Sequence, residues 1–232
     1  MKLSNRLLAC AAMVRPGSSV VDVGTDHGHL PIYLLQQGIC VRAIASDLRP
    51  KPLQAARDNA ALEHMGENLS FCLSDGLKDV PMDGIDTVVC AGMGGDTIRD
   101  ILLGRKDCWR PELTYILQPQ AAVAELRGFL SEQAFSILRE RFARDGGFVY
   151  TVMEVKWGSG VPLTPGQRYF PQGDVNRGDP LYSAYMSRVR ESLQKTVTGI
   201  RKGRDTDENR LRYFETALAE LTELEERYGN GT

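Results

Sequence analysis

Apolar residues over the first 155 or so positions follow two alternating rhythms. Short, nearly unbroken runs such as "SVVDVG" (19–24) and "IDTVVCAG" (85–92) predict strands buried on both faces. "VRAIASD" (41–47), "LSFCLSD" (69–75) and "LTYILQ" (113–118) are also strand-like. Between them lie stretches with helical spacing: one running to about Gln37, "KPLQAARDNAALEHM" (51–65), "DTIRDILLG" (96–104) and "AVAELRGFLSEQ" (122–133). Residues 135–158 predict two antiparallel strands around an Asp145-Gly146-Gly147 turn. Such alternation predicts an α/β fold, a doubly wound and mostly parallel sheet closed by an antiparallel hairpin. Right-handed crossovers then place a ligand crevice at the carboxyl ends of the strands, where the first and fourth diverge.

The pattern changes at 158–180, where five glycines and four prolines predict a connector and not a folded element. Beyond it, one stripe joins Tyr182, Met186, Val189, Leu193, Val197 and Ile200, and a second joins Leu211, Phe214, Leu218, Leu221 and Tyr228. Spacings of three and four predict an antiparallel, coiled-coil-like helical hairpin. The predicted division is a catalytic domain over 1–157, a connector over 158–180 and a hairpin over 181–232.

Charge refines this picture. The net charge of −2 excludes a global attraction to polyanions. Residues 188–212, however, carry eight Lys/Arg against four acids, a local excess that points to phosphate contact at the hairpin tip, through Arg201, Lys202 and Arg204. A solvated surface is the alternative reading of that segment. The five cysteines are odd in number and lack C-x-x-C spacing, which fits free thiols in a reducing cytoplasm. The N-terminal "MKLSNRLLACAAMV" lacks a signal-peptide layout and predicts a short helix with Ser4 as N-cap. No run is long enough to span a membrane.

Four successive strand ends carry candidate chemistry. The first ends in "DVGTDHG", with Asp22, Gly24 and Gly28 around Asp26 and His27. A dinucleotide fingerprint would need glycine where His29 stands. Asp47 ends the second strand, where a carboxylate can accept from two ribose hydroxyls. Asp75-Gly76 ends the third, where an acid can accept from an exocyclic amine while glycine admits a flat ring. "AGMGGD" (91–96) ends the fourth and exposes backbone to a substrate. A nucleoside cofactor without a diphosphate-binding turn suggests S-adenosylmethionine. A His27/His29 metal pair lacks further ligands in sequence, so no metal is expected.

"LSNRL", "VVDVGTDHGHLP", "ASDLRPKPLQAARDN", "DTVVCAGMGGDTIRDIL" and "YILQPQ" together resemble the bacterial tRNA adenine-22 N1-methyltransferase family, over the chain to about residue 155. The resemblance implies a Rossmann-like class I methyltransferase sheet, S-adenosylmethionine as donor, N1 of a D-loop adenine in tRNA as acceptor and a cytoplasmic enzyme. The cofactor set it implies is Asp22, Gly24, Thr25, Gly28, Asp47, Leu48, Asp75, Gly76, Ala91, Gly92 and Met93. Gly94, Gly95, Gln118 and Pro119 would face the substrate. The family commonly ends its fifth strand Q-P-N, whereas Gln120 here moves the amide out by one methylene.

Asp26 and His27 are the catalytic candidates. Adenine N1 attacks as a lone pair, and the ring becomes positive as it does so, so a nearby carboxylate stabilises the change. Asp26 fits that role, but it also fits contact with the donor's cationic arm, or closure of an Asx-turn. Two rival functions stay open at this level: a small-molecule methyltransferase, and a non-catalytic RNA-binding protein on a degenerate methyltransferase fold.

Overall fold

The computed structural model describes residues 3–203 and 207–228. The unbroken run Ser18–Val23 forms strand β1, with all six residues buried, because helices cover both of its faces. Neighbouring residues point to opposite sides: Val20 packs in one core and Val21 in the other. The same split recurs at Val88 and Val89, and at Tyr115 and Ile116.

Helix α1 (Asn5–Ala11) precedes β1. After it come α2 (His29–Gln36), β2 (Cys40–Asp47), α3 (Pro50–Leu62), β3 (Leu69–Leu73), β4 (Thr87–Gly94) and α4 (Gly95–Leu103). Next are β5 (Thr114–Ala121) and α5 (Val123–Glu132), then the hairpin β6 (Phe135–Asp145) and β7 (Phe148–Trp157). The sheet order is β3-β2-β1-β4-β5-β7-β6-β8, where β8 (Asp174–Val175) is a two-residue edge strand beside β6. Strands β1 to β5 are mutually parallel and β7 runs antiparallel to β5. Because β2 and β4 flank β1, the crossovers diverge there, as the strand pattern predicts. The antiparallel run of β7 also brings the β6–β7 turn to the carboxyl end of the parallel strands, beside α1.

Residues 158–180 depart from the sequence expectation. They contain α6 (Pro165–Tyr169), started by a capping box between Thr164 and Gln167, as well as β8. The glycines here serve close packing. A Cβ on Gly166 would lie 2.3 Å from the Glu220 Cβ, and one on Gly173 would lie 2.4 Å from the Leu138 carbonyl oxygen. Composition alone cannot separate a glycine that bends the chain from one that a neighbour presses against.

The tail forms α7 (Pro180–Lys202) and α8 (Glu208–Tyr228). The predicted stripes meet, with Tyr182, Met186, Leu193, Ala217 and Leu221 buried together against Phe142 of β6. A buried polar knot fixes the hairpin to the sheet. Arg127 of α5 donates to both oxygens of Glu140 on β6, at 3.0 and 2.7 Å, to the Tyr185 hydroxyl of α7 at 3.1 Å, and to the Arg168 carbonyl. The Thr151 hydroxyl and the Gln172 N–H also donate to Glu140. A buried ion pair is tolerated when its remaining hydrogen-bonding capacity is met in this way.

Candidate active site

The β1–α2 turn answers why a charged residue stands among glycines. Gly24, Asp26 and Gly28 all have left-handed φ, at +69°, +54° and +72°. A Cβ at Gly24 would lie 2.3 Å from Met93 Cε, and one at Gly28 would lie 3.0 Å from the Ala56 Cβ of α3. Gly28 is bare because α3 fills its Cβ space, whereas at Gly24 the left-handed φ disfavours a side chain even where the flexible Met93 methyl could move aside. The side chain of Asp26 is instead 60% exposed, and aspartate tolerates this backbone better than most residues. Its N–H donates to Asp47 Oδ2 at 3.2 Å, which ties the turn to the end of β2.

Asp47 also accepts the Arg49 N–H on Oδ1 at 2.9 Å. An ionised carboxylate offers about four acceptor sites, so roughly two remain for a ligand. Asp22 is buried one residue before the end of β1, where its Oδ2 accepts from the Thr25 hydroxyl at 2.7 Å. Burial pushes its carboxyl up to about 7; the Thr25 bond opposes the rise and the charge of Asp47 adds to it. Asp75 is exposed and pairs with Lys78 at 2.5 Å. A Cβ on Gly76 would press on Ile101 at 3.1 Å, so glycine keeps this wall close to α4.

Helix α1 supplies a wall that the sequence reading did not assign. The Arg6 guanidinium donates to Gln118 Oε1 at 3.1 Å and pairs with Asp145 at 3.4 Å, on the β6–β7 turn. Gln118, fully buried, also accepts the Gly92 N–H at 3.0 Å. A Cβ on Gly92 would lie 2.9 Å from Arg6 Nη1. The strand register slips between Ala91 and Met93, so a bulge at Gly92 turns the "AGMGG" backbone toward Arg6. Ser4 sits at the N-cap position of α1 yet caps nothing; its hydroxyl is buried with no partner among the described residues. The pair sits in "LSNRL", but nothing local marks it: the packing of α1 against β6 brings it to the site.

These walls enclose a crevice of about 670 Å³. Every residue expected to hold the cofactor lines it except Gly28, which backs it against α3; Asp26, His27, Ser4 and Arg6 line it too. His27 Nε2 lies 3.6 Å from Asp26 Oδ2, and the His27 and His29 rings stack with centroids 5.5 Å apart. Burial lowers the pKa of His29, with a further push from His27.

The expected substrate-facing residues scatter more. Gly95 lies where a Cβ would meet the Ala122 carbonyl at 2.4 Å, so it brings the β4 and β5 loops together. Gln118 braces the glycine loop from within, and Pro119 faces a second cleft. Arg201 is paired with Glu215 across the hairpin at 2.5 Å, Lys202 is exposed, and Arg204 lies outside the described residues. Among the described residues, no group of three or more His, Cys, Asp or Glu is placed to hold a metal ion, and no helix is long and apolar enough to cross a membrane.

The sheet order and a crevice of this shape above β1 and β4 define a class I methyltransferase fold. A methyltransferase-domain family model matches residues 3–153, and the chain belongs to that family. It is 26% identical to the Bacillus subtilis (strain 168) tRNA (adenine(22)-N(1))-methyltransferase over 233 residues, covering 97% of this chain and 95% of that protein. The crystal structure of B. subtilis TrmK superposes with a TM-score of 0.80 at 24% identity, covering 96% of this chain and 98% of that one. A Streptococcus pneumoniae protein solved with S-adenosyl-L-methionine gives a TM-score of 0.77 at 26% identity, covering 94% and 100%.

Proposed function

We propose that this protein methylates N1 of adenine 22 in the D-loop of tRNA, with S-adenosylmethionine as donor. The observation that carries the reading is the crevice itself, whose acids and glycines stand at four adjacent strand ends. Similarity to the B. subtilis enzyme along nearly the whole of both chains, hairpin included, supports the same acceptor. A small-molecule acceptor would leave the hairpin without a purpose. The division into a catalytic domain (1–157) and an RNA-holding hairpin (181–232), and a cytoplasmic setting, belong to the same reading.

The crevice suits the donor on structural grounds. Asp47 keeps free acceptor sites for the ribose hydroxyls. Gly76 and Ile101 leave a flat wall for a base, beside Asp75. The Ser4 hydroxyl, without a partner among the described residues, and the Arg6 guanidinium can hold a carboxylate, and Asp22 can face an ammonium group. When bound, the donor supplies an electrophilic methyl group on a sulfonium.

The chain itself has little proton chemistry to perform, because adenine N1 already carries its lone pair. Asp26 stands at the mouth with a mostly exposed carboxylate, positioned to stabilise the positive charge that develops on the ring. His27 orients that carboxylate. Gln118 and Arg6 keep the glycine loop bulged so that its backbone, not a side chain, meets the acceptor.

The test is incubation of the protein with unmodified tRNA and labelled donor, followed by mapping of the methylated nucleotide. Label at N1 of adenine 22 is the expected result. Transfer to a small molecule alone, or to another nucleotide, would overturn the reading.

A further inference from the structure

A second cleft, of about 410 Å³, opens on the far side of the β5 terminus, between β5, β7 and the helical hairpin. Pro119, Gln120, Tyr150, Arg188 and Arg210 are among its walls. We propose that this cleft binds the stretch of tRNA backbone adjoining the acceptor adenine, with Arg188 and Arg210 taking its phosphates. The inference rests on the tRNA reading above and moves the main RNA contact from the hairpin tip to its inner flank.

Position is the first argument. Met93 faces the crevice and Pro119 faces the cleft, yet the two are paired across β4 and β5. Adjacent strands lie roughly 5 Å apart, so one strand width separates the two openings. A nucleic acid that places one base in the crevice must carry its neighbouring nucleotides across that ridge.

Charge is the second. Five arginines around the hairpin and its base are each paired: Arg127 with Glu140, Arg141 with Asp174, Arg168 with Glu132, Arg190 with Glu225 and Arg201 with Glu215. The guanidinium groups of Arg188 and Arg210 have no carboxylate partner among the described residues; those of Arg177, Arg212 and Arg227 share this, but only Arg188 and Arg210 line the cleft. Each lies over an aromatic ring, Arg188 4.7 Å from the Phe148 centroid and Arg210 5.8 Å from that of Phe214. A guanidinium packed by its face keeps its N–H edges for a phosphate. Glu125 also lines the cleft, one acid against these two bases, while Arg127 is neutralised by Glu140.

The third argument is shape. The volume falls in the range of roughly 300–1,000 Å³ typical of small-ligand sites, enough for a nucleotide. Tyr150 in the wall offers a ring on which a base can stack. Gln120 adds an exposed amide at the rim.

The experiment compares wild type, Arg188→Gln/Arg210→Gln and a charge-matched control, Lys195→Gln/Arg212→Gln, whose sites are exposed on the hairpin outside the cleft. tRNA affinity is measured across a salt series and donor affinity by calorimetry. The cleft variant is expected to bind tRNA roughly 10- to 100-fold more weakly. Its salt slope should be shallower by about 1.4–1.8, for two lost phosphate contacts. The control should stay near wild type, and donor affinity should be equal in all three, which also shows that the catalytic domain is folded. Wild-type affinity and slope in the cleft variant overturn the proposal, and so does an equal loss in the control. A wild-type protein that neither binds nor methylates tRNA instead sinks the functional reading, and this inference falls with it.

Discussion

The proposed contact of the donor's ammonium group with Asp22 predicts that donor binding is proton-linked. Burial raises its carboxyl from 3.8 to about 7, against the pull of the Thr25 hydroxyl, and Asp47 adds to the rise. The neighbouring Cys10 and Cys90 thiols are themselves pushed up by burial, Cys10 to about 12, and stay neutral. Near pH 6, about a tenth of the ligand-free molecules carry the Asp22 charge; near pH 8, about nine tenths do. An ammonium group bound beside Asp22 favours the ionised form. The donor dissociation constant is therefore expected to be roughly tenfold weaker at pH 6 than at pH 8, with about half a proton released per donor at pH 7. Calorimetry in two buffers of different ionisation enthalpy measures both quantities. Asp22→Asn should weaken binding at pH 8 and remove most of the pH dependence. Folding should move the other way. A carboxyl with a raised folded pKa contributes stability that is fully present below about 3.8 and lost as pH rises through about 7. The loss is about three pKa steps at ~1.4 kcal/mol each, so on the order of 4 kcal/mol at most. Asp22→Asn should thus melt higher than wild type at pH 8 while binding the donor less well. Identical pH profiles of donor affinity in wild type and Asp22→Asn would refute the reasoning.

Two further outcomes follow from the geometry. Asp26→Asn should leave donor affinity intact and slow single-turnover methylation on the order of 10²-fold, as for loss of a charge-stabilising group; weaker donor binding with an unchanged rate would place Asp26 on the donor arm instead. Arg127→Met leaves Glu140 buried without its partner and should cost about 3–5 kcal/mol in urea denaturation, partly recovered by adding Glu140→Gln; an unchanged midpoint would show that the knot does not hold the hairpin to the sheet.

Much of this molecule is local in origin. Periodicity alone sets the strands and helices of the first 157 residues to within a few positions, because burial on two faces demands continuous apolar runs and burial on one face of a helix demands its spacing. The strand-end residues Asp22, Gly24, Asp47, Gly76 and Met93 were legible for a related reason: parallel α/β topology carries every strand's carboxyl end to one edge. Other features needed the folded chain. Glycines at 166 and 173 read in sequence as part of an unfolded connector and prove to be contact points, since what presses on them comes from Glu220 and Leu138. Arg201 stands in sequence as one of a basic cluster, and only the return of α8 sets Glu215 beside it. Ser4 and Arg6 reach the crevice only because α1 packs on the hairpin, where Asn5 donates to the Arg144 carbonyl. A side chain's type and spacing are local, and they fix which element it joins. Its partner is set by elements far along the chain, so tertiary structure alone decided which charges are spent and which stay free to bind.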